Sequence, residues 1–169
     1  MRAVATFFSV CAAALLLTCA SPAQALPKAG QQVPAFKVVT TAGQPLTQDT
    51  YRGNVLILDF FATWCGPCRI SIPHLTDMYR KYGKQGLQVL GMSVDEDGEK
   101  LVKEFAAEHH MNYPVALAGD TVMGSFGIRS VPIMFLVDKK GKLVEVYRGF
   151  NDQIGHSLET QIKRLLAEK

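Results

Sequence analysis

Cys65 and Cys68 are separated by Gly66-Pro67 and preceded by Trp64. If a helix begins at Cys65, its unpaired N–H groups and its dipole stabilise a thiolate there. A thiolate is the attacking species in disulfide exchange, so Cys65 takes the nucleophile's place. Cys68, one turn further in, is placed to resolve the mixed disulfide by attacking Cys65. A disulfide this local closes too short a loop to restrict the unfolded chain much, so its use is chemical rather than structural. Zinc is the competing use of such a pair, but a closed structural site takes four ligands. After residue 25 no second cysteine pair accompanies it, and His74, His109, His110 and His156 stand at no completing spacing.

The elements that must position this pair follow from hydrophobic patterning. Residues 55–61 form a near-continuous apolar stretch of strand length, the pattern of a strand covered on both faces. Asp59 interrupts it, a charge costly to bury without a task or a partner. A helix is expected from Cys65 to about Tyr82, kinked at Pro73 and ended by Gly83. Residues 88–94 give a second buried strand. The acidic stretch Asp95-Glu96-Asp97 is expected to open a helix carrying Leu101, Val102, Phe105 and Ala106. A short strand at 113–117 and a short helix at 121–126 come next. Residues 133–137 and 143–147 flank a Gly141 turn as an antiparallel hairpin, and a closing helix starts near Asp152. Residues 33–54 read as a hairpin-like extension before the first core strand. The order predicts an α/β sandwich with a mixed sheet. Phe60, Phe61, Phe105 and Phe135 are expected core. His74 reads as a solvated helix residue, and His109-His110 as a helix end.

The 169 residues allow one ordinary domain. A net charge of +3, spread along the chain, gives no electrostatic footprint for nucleic acid. At the start, Arg2 precedes an uncharged apolar segment that ends in Ala23-Gln24-Ala25. That order reads as a secretory signal peptide over residues 1–25, leaving a domain of residues 26–169. An uncleaved anchor and lipidation at Cys19 are the alternatives. Cutting after Ala25 removes Cys11 and Cys19, so the mature chain keeps only the Cys65/Cys68 pair. In an exporting compartment, where disulfides persist, this pair points to redox chemistry.

The chain resembles the thioredoxin superfamily, and within it the exported TlpA/ResA-like thiol-disulfide oxidoreductases. The resemblance rests on residues 60–69 around the pair, Pro73, Val131-Pro132 ahead of a strand, the Leu136-Val137-Asp138-Lys139-Lys140-Gly141 turn, and Gly149. It implies a thioredoxin fold, with an N-terminal extension and an inserted helix-strand unit near residues 96–117. It also implies a Cys65-Cys68 dithiol-disulfide couple that needs no bound cofactor. Pro132, read alone a trans proline opening a strand, becomes cis by resemblance, with Val131 offering backbone groups to an extended client segment. Trp64, Gly66, Pro67 and Gly149 complete the expected client-binding surface, although Trp64 reads equally well as core. Asp59 resembles the buried acid that accepts the inner cysteine's proton. Its alternative is a structural ion pair.

The resemblance further implies a reductase of protein disulfides outside the cytoplasm. Its partners would be disulfide-containing clients, cytochrome c precursors among them, and a membrane thiol reductant as electron donor. The sequence departs from the family's habits at four places. Ser71 and Ile133 stand where related branches carry Glu, Gly91 stands where thioredoxin has Lys, and Ala62 stands where thiol peroxidases of this fold have Thr. A peroxidase and a non-catalytic metal-delivery module are the rival readings.

Overall fold

A computed structural model describes residues 25–96 and 98–168. The expected leader thus lies outside the described residues except for Ala25. Among the described residues no helix is long and apolar enough to cross a membrane.

The chain enters through a small antiparallel hairpin, β1 (Lys37–Val39) and β2 (Pro45–Thr47). It then forms β3 (Val55–Phe61), α1 (Gly66–Tyr82), β4 (Leu87–Ser93), α2 (Glu99–Glu108), β5 (Val115–Leu117), α3 (Gly119–Phe126), β6 (Ile133–Val137), β7 (Leu143–Arg148) and α4 (Asp152–Ala167). The main sheet has the order β5-β4-β3-β6-β7. β3 pairs parallel with β4 and antiparallel with β6, so the sheet is mixed, as the sequence predicts.

Every residue of β3 is buried, because helices or the entry hairpin cover both faces. Val55, Ile57 and Phe61 face α1, α2 and α4, packing with Ile72, Leu75, Phe105, Leu158 and Ile162. Leu56, Leu58 and Phe60 face the other way, against the entry hairpin and α3. The hairpin is joined to the main sheet by the Thr41 N–H, which donates to the Val115 carbonyl at 2.8 Å.

Two sequence expectations need correction. The acidic stretch at Asp95 does not open α2. That helix begins at Glu99 behind Gly98, whose φ of 95° lies in the left-handed region that glycine tolerates. The strand expected at residues 113–117 starts at Val115, leaving Tyr113 outside it as a buried side chain. α1 runs continuously through Pro73, which sits on its exposed side.

Candidate active site

The redox pair sits where β3 hands over to α1. Cys65 is the N-cap of α1, and its Sγ accepts the Cys68 N–H at 3.2 Å. Pro67 lies in the first turn, where the missing N–H removes no helical bond. The two sulfurs are joined as a disulfide, with Cα atoms 5.3 Å apart. Cys65 keeps 4% exposure while Cys68 is fully enclosed, so the outer sulfur is the one an incoming thiol or disulfide can reach. Gly66 and Pro67 are exposed beside it.

The loop before the pair is clamped by a buried acid. Asp95 accepts from the Thr63 N–H at 2.9 Å and from the Thr63 hydroxyl at 2.7 Å. The Ser93 hydroxyl donates to the same carboxylate at 2.6 Å. From the outside, Arg69 donates through Nη2 to the Thr63 carbonyl at 3.0 Å and lies 5.8 Å over the Phe105 ring. Both sides of Thr63 are therefore fixed, and with them the approach of Cys65. Sequence reasoning missed Asp95. Its signal is position: an acid at the C-terminal end of a buried parallel strand, beside the strand that carries the nucleophile.

Asp59 lies behind the pair. Strand alternation puts it with Ile57 and Phe61 on the α1 face, the face on which Cys68 packs. It is fully buried, and neither carboxyl oxygen has a hydrogen-bond partner. The structure therefore places no ion pair there. Burial alone pushes its pKa up to about 7. An acid held near neutrality can take up a proton and release it.

On the next strand over, the Val131-Pro132 peptide bond is cis. The Gly149 N–H donates to the Pro132 carbonyl at 2.8 Å and so anchors the turn, and Gly149 itself has a φ of 76°. Val131 enters none of the backbone hydrogen bonds found among the described residues outside the helices and strands. Trp64 is 69% exposed and so is not core, and Ile70 on α1 is 58% exposed.

The Redoxin family profile matches residues 28–162, a span that holds the whole of this arrangement. The chain belongs to the Redoxin family. Thiol-disulfide oxidoreductase ResA of Bacillus anthracis is 31% identical over 137 residues, covering 80% of this chain and 78% of that one. Its counterpart in Geobacillus thermodenitrificans is 33% identical over 122 residues, covering 71% and 69%. Among solved structures, a thiol:disulfide interchange protein of the thioredoxin family from Chlorobium tepidum superposes with a TM-score of 0.73 at 27% identity, over 85% of this chain and 100% of that one. This Redoxin-family chain is a thiol-disulfide oxidoreductase of thioredoxin fold.

The four departures from family habit have physical counterparts in this Redoxin-family site. Ser71 is buried and spends its hydroxyl within α1, donating to the Cys68 carbonyl at 3.0 Å. Ile133 is buried among apolar residues on the far face of the sheet. Ala62 is fully buried and has no hydroxyl to offer. Gly91 leaves a gap filled by the ends of Phe61, Met111 and Tyr113. Of the histidines, exposed His74 packs 4.9 Å from the Phe150 ring, and His109, the C-cap of α2, lies 4.1 Å from Phe105.

Proposed function

We propose that the chain acts outside the cytoplasm as a reductase of protein disulfides, through the Cys65/Cys68 couple. The observation that carries this reading is the asymmetry of the pair, with Cys65 at the helix start and open to approach, Cys68 enclosed, and an unpartnered acid on the same face. In the reduced protein the Cys65 thiolate attacks a client disulfide and forms a mixed disulfide, releasing one client thiolate. Cys68 then passes its proton to Asp59 and attacks the Cys65 sulfur. The second client thiolate leaves and the pair closes as a disulfide, two electrons having passed to the client. The N–H and C=O of Val131 pair with an extended client segment, and Trp64, Gly66, Pro67 and Gly149 border it.

Export rests on the leader read from residues 1–25, and the periplasm is the compartment that fits it. There a reductase needs recharging, which a membrane thiol reductant supplies. Precursors of c-type cytochromes, whose haem-binding thiols must be kept reduced, are a client class that suits this chemistry. In the exported protein, Cys68→Ser is expected to accumulate mixed disulfides with clients on non-reducing gels, and Cys65→Ser to trap none. Equal trapping by both variants would reverse the assignment of nucleophile and resolver, or remove the pair from catalysis.

A further inference from the structure

Three buried polar side chains on the α1 side of the sheet lack a partner: the Asp59 carboxyl, the Tyr113 hydroxyl and the Thr76 hydroxyl. The mechanism above uses the first and leaves the second unexplained. In the β3–β4 register Asp59 stands directly opposite Gly91, so the two residues share a face. A Cβ at Gly91 would lie 3.4 Å from Tyr113 Cε2, the ring carbon next to the one that bears the hydroxyl. One edge of the Tyr113 ring, with the ends of Phe61 and Met111, therefore fills the space that glycine leaves beside the strand position that holds the acid. Tyr79 of α1 holds the ring edge-on at a centroid distance of 6.3 Å. The backbone on its C-terminal side is tied by the Gly91 N–H, which donates to the Pro114 carbonyl at 2.9 Å.

We infer that Tyr113 is a positioning residue of the exchange reaction: its buried hydroxyl is the hydrogen-bond donor that the Asp59 carboxylate takes up when the acid gives away its proton. An orphaned donor and an orphaned acceptor in one dry layer each gain by this pairing, and the gain goes to the charged form of the acid. Tyr113 stays protonated to do so, because burial and the nearby Asp59 charge both push its pKa well above the ordinary phenol value. In the sheet Asp59 is flanked by Gly91 of β4 and Met134 of β6, the disulfide-bonded Cys68 packs on the same face, and burial is the one cause of its shift. Where thioredoxin sets a lysine near its buried acid, this chain would then use a neutral donor from the segment before β5.

This inference rests on the reading of Asp59 as proton acceptor, and its test separates the two. The Asp59 carboxyl carbon is titrated by NMR in the oxidised protein, with and without Tyr113→Phe. Loss of the donor should raise the midpoint by about one pH unit. The pH profile of single-turnover reduction of a protein disulfide should move upward with it. In an Asp59→Asn background, Tyr113→Phe should add no further slowing. An unmoved or lowered midpoint overturns the inference, as does equal slowing in the two backgrounds. If Asp59→Asn alone leaves exchange unchanged, the acid's catalytic role fails while the carboxyl titration still decides the role of Tyr113.

Discussion

The two faces of β3 are built to opposite specifications. Leu58 and Phe60 enter an aromatic cluster in which the rings of Phe60, Phe126 and Phe135 lie 5.2–5.7 Å apart, tilted or edge-on. Phe36 from the entry segment joins Phe126 at 6.3 Å. Among the described residues the one orphaned side-chain polar atom at that face is the hydroxyl of Tyr51, beyond the aromatic group. The opposite face has comparable apolar packing, yet within it stand Asp59, Tyr113, Thr76 and the enclosed Cys68. A buried polar group without a partner costs about 1–3 kcal/mol. The chain therefore carries its packing stability on one side of a strand and tolerates destabilising groups on the other, the face on which Cys68 packs. One strand with two buried faces lets the stable side hold the costly side in place.

The sharpest division between the faces should come from Phe126→Ala. Phe126 is fully buried at the centre of the aromatic cluster, so truncation should lower unfolding free energy by about 3–5 kcal/mol, measured by denaturant titration. The exchange rate constant of the molecules that remain folded should stay as in the parent, because this cluster touches the other side of the sheet. A large loss of intrinsic rate would show that the faces are coupled and break the comparison.

Sequence made one face more legible than the other. β3, α1 and the β6–β7 hairpin are announced by local pattern, and the Cys65 helix start by residues that lie together in the chain. Asp95 is different. Its partner Thr63 is 32 residues away, so local reading assigns the acid to a helix start, when a register between parallel strands brings it to the redox loop. Tyr113 fails in the same way: its apolar ring reads as a strand residue, and only the pairing of Asp59 with Gly91 shows which strand position its ring packs beside. The orientation of Trp64 is not legible in the sequence for a third reason. An aromatic at a strand end is compatible with core or surface, and the side chain's direction depends on how the loop is clamped.

Asp59→Asn should separate stability from chemistry. The unfolded chain ionises this carboxyl near 3.8 and the folded chain near 7, so the folded state holds the proton across that interval. The parent therefore loses stability as pH rises from the lower value to the higher, and the cost is fully present above about pH 7. The Asn variant carries no such charge. It should be more stable than the parent by roughly 2–4 kcal/mol at pH 8, the difference vanishing below about pH 4. Exchange should slow by about a hundredfold at neutral pH through loss of a general base. A destabilised variant with unchanged exchange would mean that this polar group serves the fold, and the contrast between the faces would lose its functional meaning.

The smallest effect on the fold should come from Trp64→Ala, and its value lies in where it does act. At 69% exposure the indole contributes little to the core, so unfolding free energy should change by no more than about 0.5 kcal/mol. It stands next to Cys65 with the exposed Gly66 and Pro67 beyond, the surface that the proposed function assigns to a protein client as its disulfide approaches the outer sulfur. Buried aromatic anchors commonly carry more than 1 kcal/mol of an interface, so kcat/KM for a protein disulfide should fall by about tenfold. A small aliphatic disulfide, too small to span the indole, should be reduced at the parent's rate, because the N-cap position of Cys65 and the Thr63 clamp are untouched. Equal loss on both substrates would place Trp64 in the chemistry of the pair, whereas no loss on either would move the client surface towards Val131 and the cis peptide.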